Sequence, residues 1–329
     1  MLRPALRFLS NRDIPGGVAW ASASPRTPLA GGENDPKRVL WTPVRQRALR
    51  HAIWLVAVPY ALLFLVGAFS GVAGFDAHAY WAAWSNGLYS AAPEQRDAYL
   101  YSPAFAEAIW PLSLLSWPVF YAVWTLGTAA TYAWLLAPLG RRWALPLFVL
   151  TIPEIVVGNI WGLLALVAVV GFRYPAAWTL PLLTKITPAV GPLWFAVRRE
   201  WRAFAISLVL ALGLALASVA FAPHLWVQWV RLLVHPDQYA NPGRDAATSL
   251  VHVPLFVRLP IAGCLTIFAA RTNRRLVLPF AMVLASPVFA VSTFQILAAL
   301  PRMAEQQRAE GKGTEAGPLV GRELEFSVS

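Results

Sequence analysis

A carboxylate and an imidazole stand two residues apart in an aromatic stretch, at Asp76 and His78, flanked by Phe75, Tyr80 and Trp81. A carboxylate in a partly apolar setting can have a raised pKa and serve as a general base. We expect no metal here, because no further His, Asp or Glu with metal-ligand spacing lies nearby. The pattern indicates either a catalytic base with His78 as a polar partner in the same pocket, or a solvated loop aspartate.

A second candidate is Lys185, which lies in the middle of an apolar run from Trp178 to Val197. A cation at such a position costs about 2.5–3.5 kcal/mol on membrane-insertion scales, so it commonly faces a water-filled cavity. Its natural partner would be an anion such as a phosphate or a carboxylate. The alternative is a lysine that reaches an interface from the break at Pro188.

A third candidate pair is Glu154 and Asn159, a carboxylate and an amide within the apolar stretch Ile152–Trp161. This stretch is either an outer-face turn between two spans or a broken helix that lines a cavity. Both interpretations place Asn159 near the water-accessible side.

The composition indicates which elements must position these side chains. Of the 329 residues, 58% are hydrophobic and only 13% are charged, whereas soluble domains carry about 25% charged residues. The bilayer is therefore the solvent for most of the chain. The net charge of +11 comes from basic clusters between apolar runs, which favours anionic headgroups over nucleic acid. A single cysteine, Cys264, excludes a disulfide framework.

The chain divides into three parts. Residues 1–50 are expected to be a disordered cytoplasmic tail, residues 51–300 a transmembrane domain, and residues 301–329 a second disordered tail. We predict an all-α polytopic bundle of roughly nine or ten membrane segments, in which several prolines favour a cavity-forming bundle. The apolar segments run from about 53–69, 103–115, 118–138, 143–157, 160–172, 176–197, 203–222, 254–270 and 276–298.

Two extracytoplasmic loops are expected between these segments. The first is a polar, aromatic loop that carries Asp76 and ends at Tyr101, and the second covers about residues 223–252. The charges leave the run 176–197 open, because Arg173 and the cluster at 198–202 both favour the cytoplasm. A hairpin of two half-spans satisfies both clusters and is preferred to a single span.

Several segments together resemble glycosyltransferase family 87, the polyprenyl-phosphate-mannose-dependent mannosyltransferases of actinobacteria. They cover about residues 52–298 and include Gly74–Trp81, Gly87–Tyr89, Tyr99–Ala106, Leu182–Pro188 and Phe195–Trp201, together with Pro111–Leu112, Trp124 and Gly158–Asn159.

The resemblance implies a GT-C fold with its active-site loops outside the cell membrane. It implies that Asp76 deprotonates an acceptor hydroxyl and that a sugar, mannose by default, leaves a polyprenyl phosphate with inversion. The acceptor would be a cell-envelope glycolipid or glycan, and no cofactor or metal is expected. Lys185 matches the lysine of the family's Lys-x-x-Pro motif and is expected to contact phosphate. The candidate substrate-binding residues are His78, Tyr80, Tyr101, Asn159, Lys185 and Arg244.

The chain departs from the family pattern at two places. Gly158-Asn-Ile-Trp161 stands where many members have Gly-Gln-x-Asn, and the segment after Ser286-Pro287 lacks a histidine. Alternative functions are a polyprenyl-phosphate-arabinose-dependent transferase, a transporter or flippase that uses Lys185 in a cavity, and an inactive membrane homologue. No internal repeat of the kind that transporters carry is visible.

Overall fold

The computed structural model describes residues 42–92, 95–234 and 253–315, with side chains as far as residue 311. Of these residues, those from Leu49 onward belong to one compact unit, and residues 42–48 belong to a separate one. The described residues are helical or irregular, and none of them forms a strand. The prediction of an all-α protein is therefore confirmed for this part of the chain.

Thirteen α-helices follow one another along the described residues. They are α1 Pro43–Gly67, α2 Phe75–Asn86, α3 Pro103–Ser113, α4 Trp117–Leu136, α5 Arg141–Val157, α6 Trp161–Val170, α7 Thr179–Leu183, α8 Gly191–Val197, α9 Trp201–Phe221, α10 Pro223–Val234, α11 Leu255–Arg271, α12 Leu278–Ala285 and α13 Leu300–Glu315. Short 3-10 or π-helical turns adjoin several of them, the longest being the 3-10 segment Val291–Ala299.

Three helical stretches within the described residues are long and apolar enough to cross a bilayer: Pro43–Asn86, Trp117–Leu139 and Trp201–Phe221. A fourth is added if α5 and α6, which are bent by 120° relative to each other, count as one broken span. The other helices of the described residues are shorter than the roughly 20 residues that a span usually needs, and the longest of them, α11, has 17 residues. The number of nine or ten membrane segments and the two-loop topology accordingly stay predictions.

The segment around Asp76 differs from the expected loop. After α1 a π-helical turn, Ala68–Val72, breaks the helix at Gly71, which has a φ of 94°. A new helix, α2, then begins at Phe75, with Asp76 in its first turn and Gly74 at its N-cap with a φ of 64°. A Cβ at Gly74 would lie 2.6 Å from the Trp117 ring, so only glycine fits this close approach. The irregular residues that the structure describes between α2 and α3 are 87–92 and 95–102, together called the 87–102 loop.

A second break separates α5 from α6. Gly158 ends α5 in the left-handed conformation, with a φ of 80°, and its amide donates to the carbonyl of Glu154. The side chain of Asn159 accepts a 2.7 Å hydrogen bond from the amide of Ile160, which precedes α6. The structure therefore has a sharp turn between two apolar helices here.

The run 176–197 is likewise divided. Helix α7 ends at Leu183 and α8 starts at Gly191, which leaves Lys185 and Pro188 in the irregular stretch between them. This division agrees with two half-segments, while their side of the membrane stays a prediction. Across the break, Ser102 from the 87–102 loop donates a 2.6 Å hydrogen bond to the Leu183 carbonyl. That bond fixes the end of the loop beside Lys185.

Helices extend into both predicted tails, at residues 43–50 and 301–315. Helix α1 starts at Pro43, so the last residues of the expected N-terminal tail are helical. At the other end α13 continues to Glu315, and Met303 on its first turns is buried in the core. The expectation of disorder from residue 301 is therefore wrong as far as residue 315. Residues 1–41 and 316–329 lie outside the described residues.

The largest fully buried side chains of the described residues are mostly aromatic. Trp161, Trp178 and Trp194 are almost fully buried, as are Tyr99 and Tyr132. Large rings of this kind fill the space between short helices that cross at varied angles. Trp161 begins α6 directly after the α5–α6 break, and the Trp178 ring lies against Gly191 at the start of α8.

A buried arginine, Arg258, binds the backbone around Ser286 and Pro287. The sequence after these two residues lacks the expected histidine. Arg258 on α11 is only 6% exposed. Its guanidinium donates to the carbonyls of Leu284, Ser286 and Pro287 at 2.7–3.2 Å, and its Nε donates to Val253. The carbonyls of Leu284, Ser286 and Pro287 lie in the last turn of α12 or just after it, where helical amides no longer satisfy them. Arg258 thus stabilises the break after α12.

Candidate active site

The central interaction joins Asp76 on α2 to Asn159 in the α5–α6 turn. The Asn159 side-chain nitrogen donates a 2.5 Å hydrogen bond to Oδ2 of Asp76. Because Asn159 also accepts from the Ile160 amide, its side chain has one orientation. The half-buried Asp76 is therefore held through one carboxylate oxygen. The other oxygen, Oδ1, has no hydrogen bond within the described residues.

Backbone contacts hold the α5–α6 turn against the start of α2. The amide of Gly74 donates to the carbonyl of Val156 at 2.8 Å. The Trp124 indole donates to the carbonyl of Gly158, also at 2.8 Å. A side chain at Gly158 would overlap Ala77, the residue next to Asp76. Gly74 and Gly158 thus allow the start of α2 to lie close to the end of α5. This close approach places Asn159 within hydrogen-bond distance of Asp76.

Two buried tyrosines, Tyr80 and Tyr101, lie close to Asp76. Tyr80 lies one helical turn after Asp76 on the same face of α2. Its hydroxyl is 3.1 Å from the hydroxyl of Tyr101, which lies in the 87–102 loop. Both rings are buried. Burial, and secondarily the charge of Asp76, raises the pKa of Tyr101, so its phenol stays neutral. Tyr89 fixes this loop residue by donating to the Tyr101 carbonyl at 2.9 Å.

Lys185 approaches the same cluster from the break between α7 and α8. Its ammonium lies 3.9 Å from the centroid of the Trp161 ring and 5.6 Å from that of Tyr101. It is close enough to Asp76 and Glu154 for their charges to interact. The described residues offer Lys185 no hydrogen-bonded ion pair. Stacking on Trp161 therefore aims a cation at the cluster and leaves its donors available to an anion.

Glu154 is the buried member of the cluster. It lies in the last turn of α5 and is 5% exposed. Its Oε2 has no hydrogen-bond partner among the described residues, although Asp76 and Lys185 lie within electrostatic range. The sequence marks it as a carboxylate in an apolar stretch. The sequence does not predict Glu154 as a substrate-binding residue. Its proximity to Asp76 depends on the 120° bend between α5 and α6, which the sequence alone does not show.

Helix α2, the α5–α6 turn and the α7–α8 break thus bring the carboxylate of Asp76, the carboxamide of Asn159 and the ammonium of Lys185 together. The 87–102 loop adds Tyr101. Asp76 has a free oxygen that can accept a proton, and Lys185 has a free charge that can bind an anion. Asn159 holds Asp76, and the tyrosines close the inner side. This arrangement can remove a proton from a hydroxyl next to a bound anionic group.

His78 lies on the other side of α2 and has different partners. Two residues after Asp76, it points about 200° around the helix. Its Nδ1 is 2.5 Å from Oδ1 of Asp97, and its ring packs against Trp81 and Trp117 at centroid distances of 5.2 and 4.6 Å. The structure therefore does not bring His78 into one hydrogen-bonded cluster with Asp76. Instead, His78 joins α2 to the 87–102 loop.

Two further expectations concern Arg244 and metals. Arg244 lies outside the described residues. Within the described ranges, no group of three or more His, Cys, Asp or Glu side chains could hold a metal ion.

The fold and the cluster together define a helical membrane protein with a carboxylate–lysine centre between broken helices. The family follows from sequence comparison: the chain belongs to glycosyltransferase family 87, whose model matches residues 99–311. It is therefore a membrane glycosyltransferase, and the expected family is confirmed. Tyr101, Asn159 and Lys185 lie within the matched residues, whereas Asp76 precedes them. Comparisons with curated proteins and with solved structures gave no match.

Proposed function

We propose that the protein transfers a hexose, with mannose as the first candidate, from a polyprenyl-phosphate sugar to a glycolipid or glycan of the cell envelope. The family supports sugar transfer within a membrane. The observation that carries the proposal is the hydrogen bond from Asn159 to Asp76 beside Lys185. The protein would be a multi-pass protein of the cell membrane, with a cytoplasmic N-terminus and with these groups on the outer side.

The proposed reaction is one inverting displacement. Asp76 takes the proton from the acceptor hydroxyl through its free oxygen while that hydroxyl oxygen attacks the anomeric carbon. The bond between this carbon and the phosphate oxygen breaks, and the polyprenyl phosphate leaves with the bonding electrons. Phosphate is a good leaving group, so one base is sufficient. This differs from glycoside hydrolysis, in which two carboxylates flank the bond.

In this proposal Lys185 binds the phosphate. A cation aimed at the phosphate by an aromatic ring stabilises the charge that develops on the leaving group. Tyr80 and Tyr101 would contact the sugar or the acceptor through their hydroxyls. His78 and Arg244 are proposed as further substrate contacts. His78 would contact substrate from the place where α2 meets the 87–102 loop.

The decisive experiment compares Asp76→Asn with a matched control, Glu107→Gln. Glu107 is another part-buried carboxylate, hydrogen-bonded to Ser218 at 2.9 Å. In purified protein supplied with polyprenyl-phosphate mannose and envelope glycolipids, Asp76→Asn should lower transfer by about 10²- to 10⁴-fold. The control should remain active, and full activity of Asp76→Asn would show that Asp76 is not the base.

The sugar and the acceptor are identified by a cellular experiment. Deletion of the gene should make truncated glycolipids or glycans accumulate in the cell envelope. Mass spectrometry of those species gives the missing sugar by its mass and the acceptor by its structure. A missing pentose instead of a hexose would identify arabinose as the transferred sugar.

A further inference from the structure

Glu154 is a buried titratable group to which the proposed displacement gives no part. Its side chain is 5% exposed, and Oε2 lacks a hydrogen-bond donor among the described residues. The backbone amides of Gly158 and Asn159, which follow in the same turn, donate to the backbone carbonyl of Glu154. An ionised carboxylate in such a place loses its hydration without compensation.

The groups that face Glu154 come from several elements. Asp76 of α2 and Lys185 of the α7–α8 break interact with it electrostatically. The phenols of Tyr60, Tyr101 and Tyr132 are also within range. The Tyr132 hydroxyl is buried and has no hydrogen-bond partner in the described part of the chain. Among these facing groups, Lys185 is the only cation, and it interacts with the two carboxyl groups of Asp76 and Glu154.

The charge balance decides which carboxyl group carries a proton. If both were ionised, the cluster would have a net charge of −1, which would repel a phosphate. Asp76 receives a hydrogen bond from Asn159, which stabilises its ionised form. Glu154 has no such donor at Oε2 and is the more buried of the two. The proton therefore belongs on Glu154.

We propose that Glu154 is a positioning residue that stands as a neutral carboxylic acid in the resting protein, and that its neutrality keeps the charge of Lys185 available to the donor phosphate. This inference rests on the proposed function for its phosphate. An ionised Glu154 would compete with the phosphate for Lys185. Its protonation thus determines how tightly the donor binds, while Asp76 acts on the acceptor.

The first test is the pH dependence of the donor KM in wild type and Glu154→Gln. Glutamine has the shape of the neutral acid and cannot ionise. As pH rises, Glu154 of the wild type loses its proton and the donor KM should increase. In Glu154→Gln this part of the increase is missing, so the KM of the variant should become lower than that of the wild type, by about tenfold at the alkaline end.

Two kinetic outcomes would overturn the inference. One is a pair of parallel pH profiles for wild type and Glu154→Gln. The other is an increase of about tenfold or more in the donor KM of Glu154→Gln at neutral pH, because this would mean that the ionised form of Glu154 is needed. A merely structural role would alter kcat and thermal stability without changing the pH dependence of KM.

A second measurement requires no sugar transfer. Infrared spectroscopy of purified wild-type protein at neutral pH should show the carbonyl stretch of a buried carboxylic acid. The band should be missing in Glu154→Gln and present in Asp76→Asn. If the wild type lacks the band, Glu154 is ionised and the inference is wrong, whatever the protein transfers. If the band is present but no polyprenyl-phosphate sugar is a donor, the proposed function fails while Glu154 is still shown to be neutral.

Discussion

The side-chain amide of Asn159 donates a 2.5 Å hydrogen bond to Asp76 across 83 residues of sequence. Asn159 is fixed in turn by the Ile160 amide. One oxygen of Asp76 is therefore bound to Asn159, and the other has no hydrogen-bond partner among the described residues. This relationship favours the hypothesis that Asn159 orients the proposed base, whereas the sequence predicts that Asn159 contacts substrate.

Replacement of Asn159 should therefore affect catalysis more than substrate binding. Asn159→Ala releases the Asp76 carboxylate, and a small misplacement of a reacting group can lower kcat by about 10- to 100-fold. Steady-state kinetics should show a lower kcat with a nearly constant donor KM. Gln295→Ala is the matched control, because this amide donates to the Leu150 carbonyl at 3.2 Å and has no contact with Asp76. A higher donor KM with normal kcat in Asn159→Ala would favour a direct substrate contact.

Replacement of Lys185 should weaken donor binding. Lys185→Met keeps most of the volume over Trp161 but removes the charge, and a hydrogen bond to a charged group contributes about 1.5–3 kcal/mol. We expect kcat/KM for the lipid-phosphate donor to fall by about 10- to 100-fold. The control is Arg173→Met, which removes an exposed cation that lies 5.4 Å from the Tyr174 ring. Equal effects of the two variants would mean that Lys185 has no specific contact with the donor.

Gly158 should be required for the fold of the site. An alanine there would need a positive φ, which costs about 1–2 kcal/mol, and its Cβ would overlap Ala77. Gly158→Ala should lower the melting temperature in detergent and also reduce transfer. Gly127→Ala is the matched control, since a Cβ at this helical glycine meets no atom within 4 Å. Loss of stability in the control but not in Gly158→Ala would contradict the close approach of α2 to the α5–α6 turn.

The pair His78–Asp97 should hold the 87–102 loop on α2. Asp97 has a φ of 68°, and its second oxygen accepts from Asn86 at 3.1 Å. His78→Gln and Asp97→Asn should each increase trypsin cleavage at Arg96 within this loop. In a double-mutant cycle based on thermal stability, we expect a coupling of about 0.5–3 kcal/mol. Additive effects would show that the two side chains do not stabilise each other.

The sequence by itself determined the membrane class, the all-α fold and the family. These follow from long apolar runs, from the low charged fraction and from short motifs such as Leu182–Pro188, all of which are local properties of the chain. It also identified Asp76, Asn159 and Lys185 one by one. It did not predict that Asp76 lies in a helix, because the restart of α2 after Gly74 depends on packing against Trp117.

Only the tertiary structure decided which candidates meet. The bend of 120° between α5 and α6 brings Glu154 into the cluster, and the bond from Ser102 to the Leu183 carbonyl brings Tyr101 to Lys185. His78, only two residues from Asp76, is directed to Asp97 because α2 turns it to the other side. Pairing across many residues depends on backbone breaks and close packing, and these are set by the whole fold and not by the spacing of residues in the sequence.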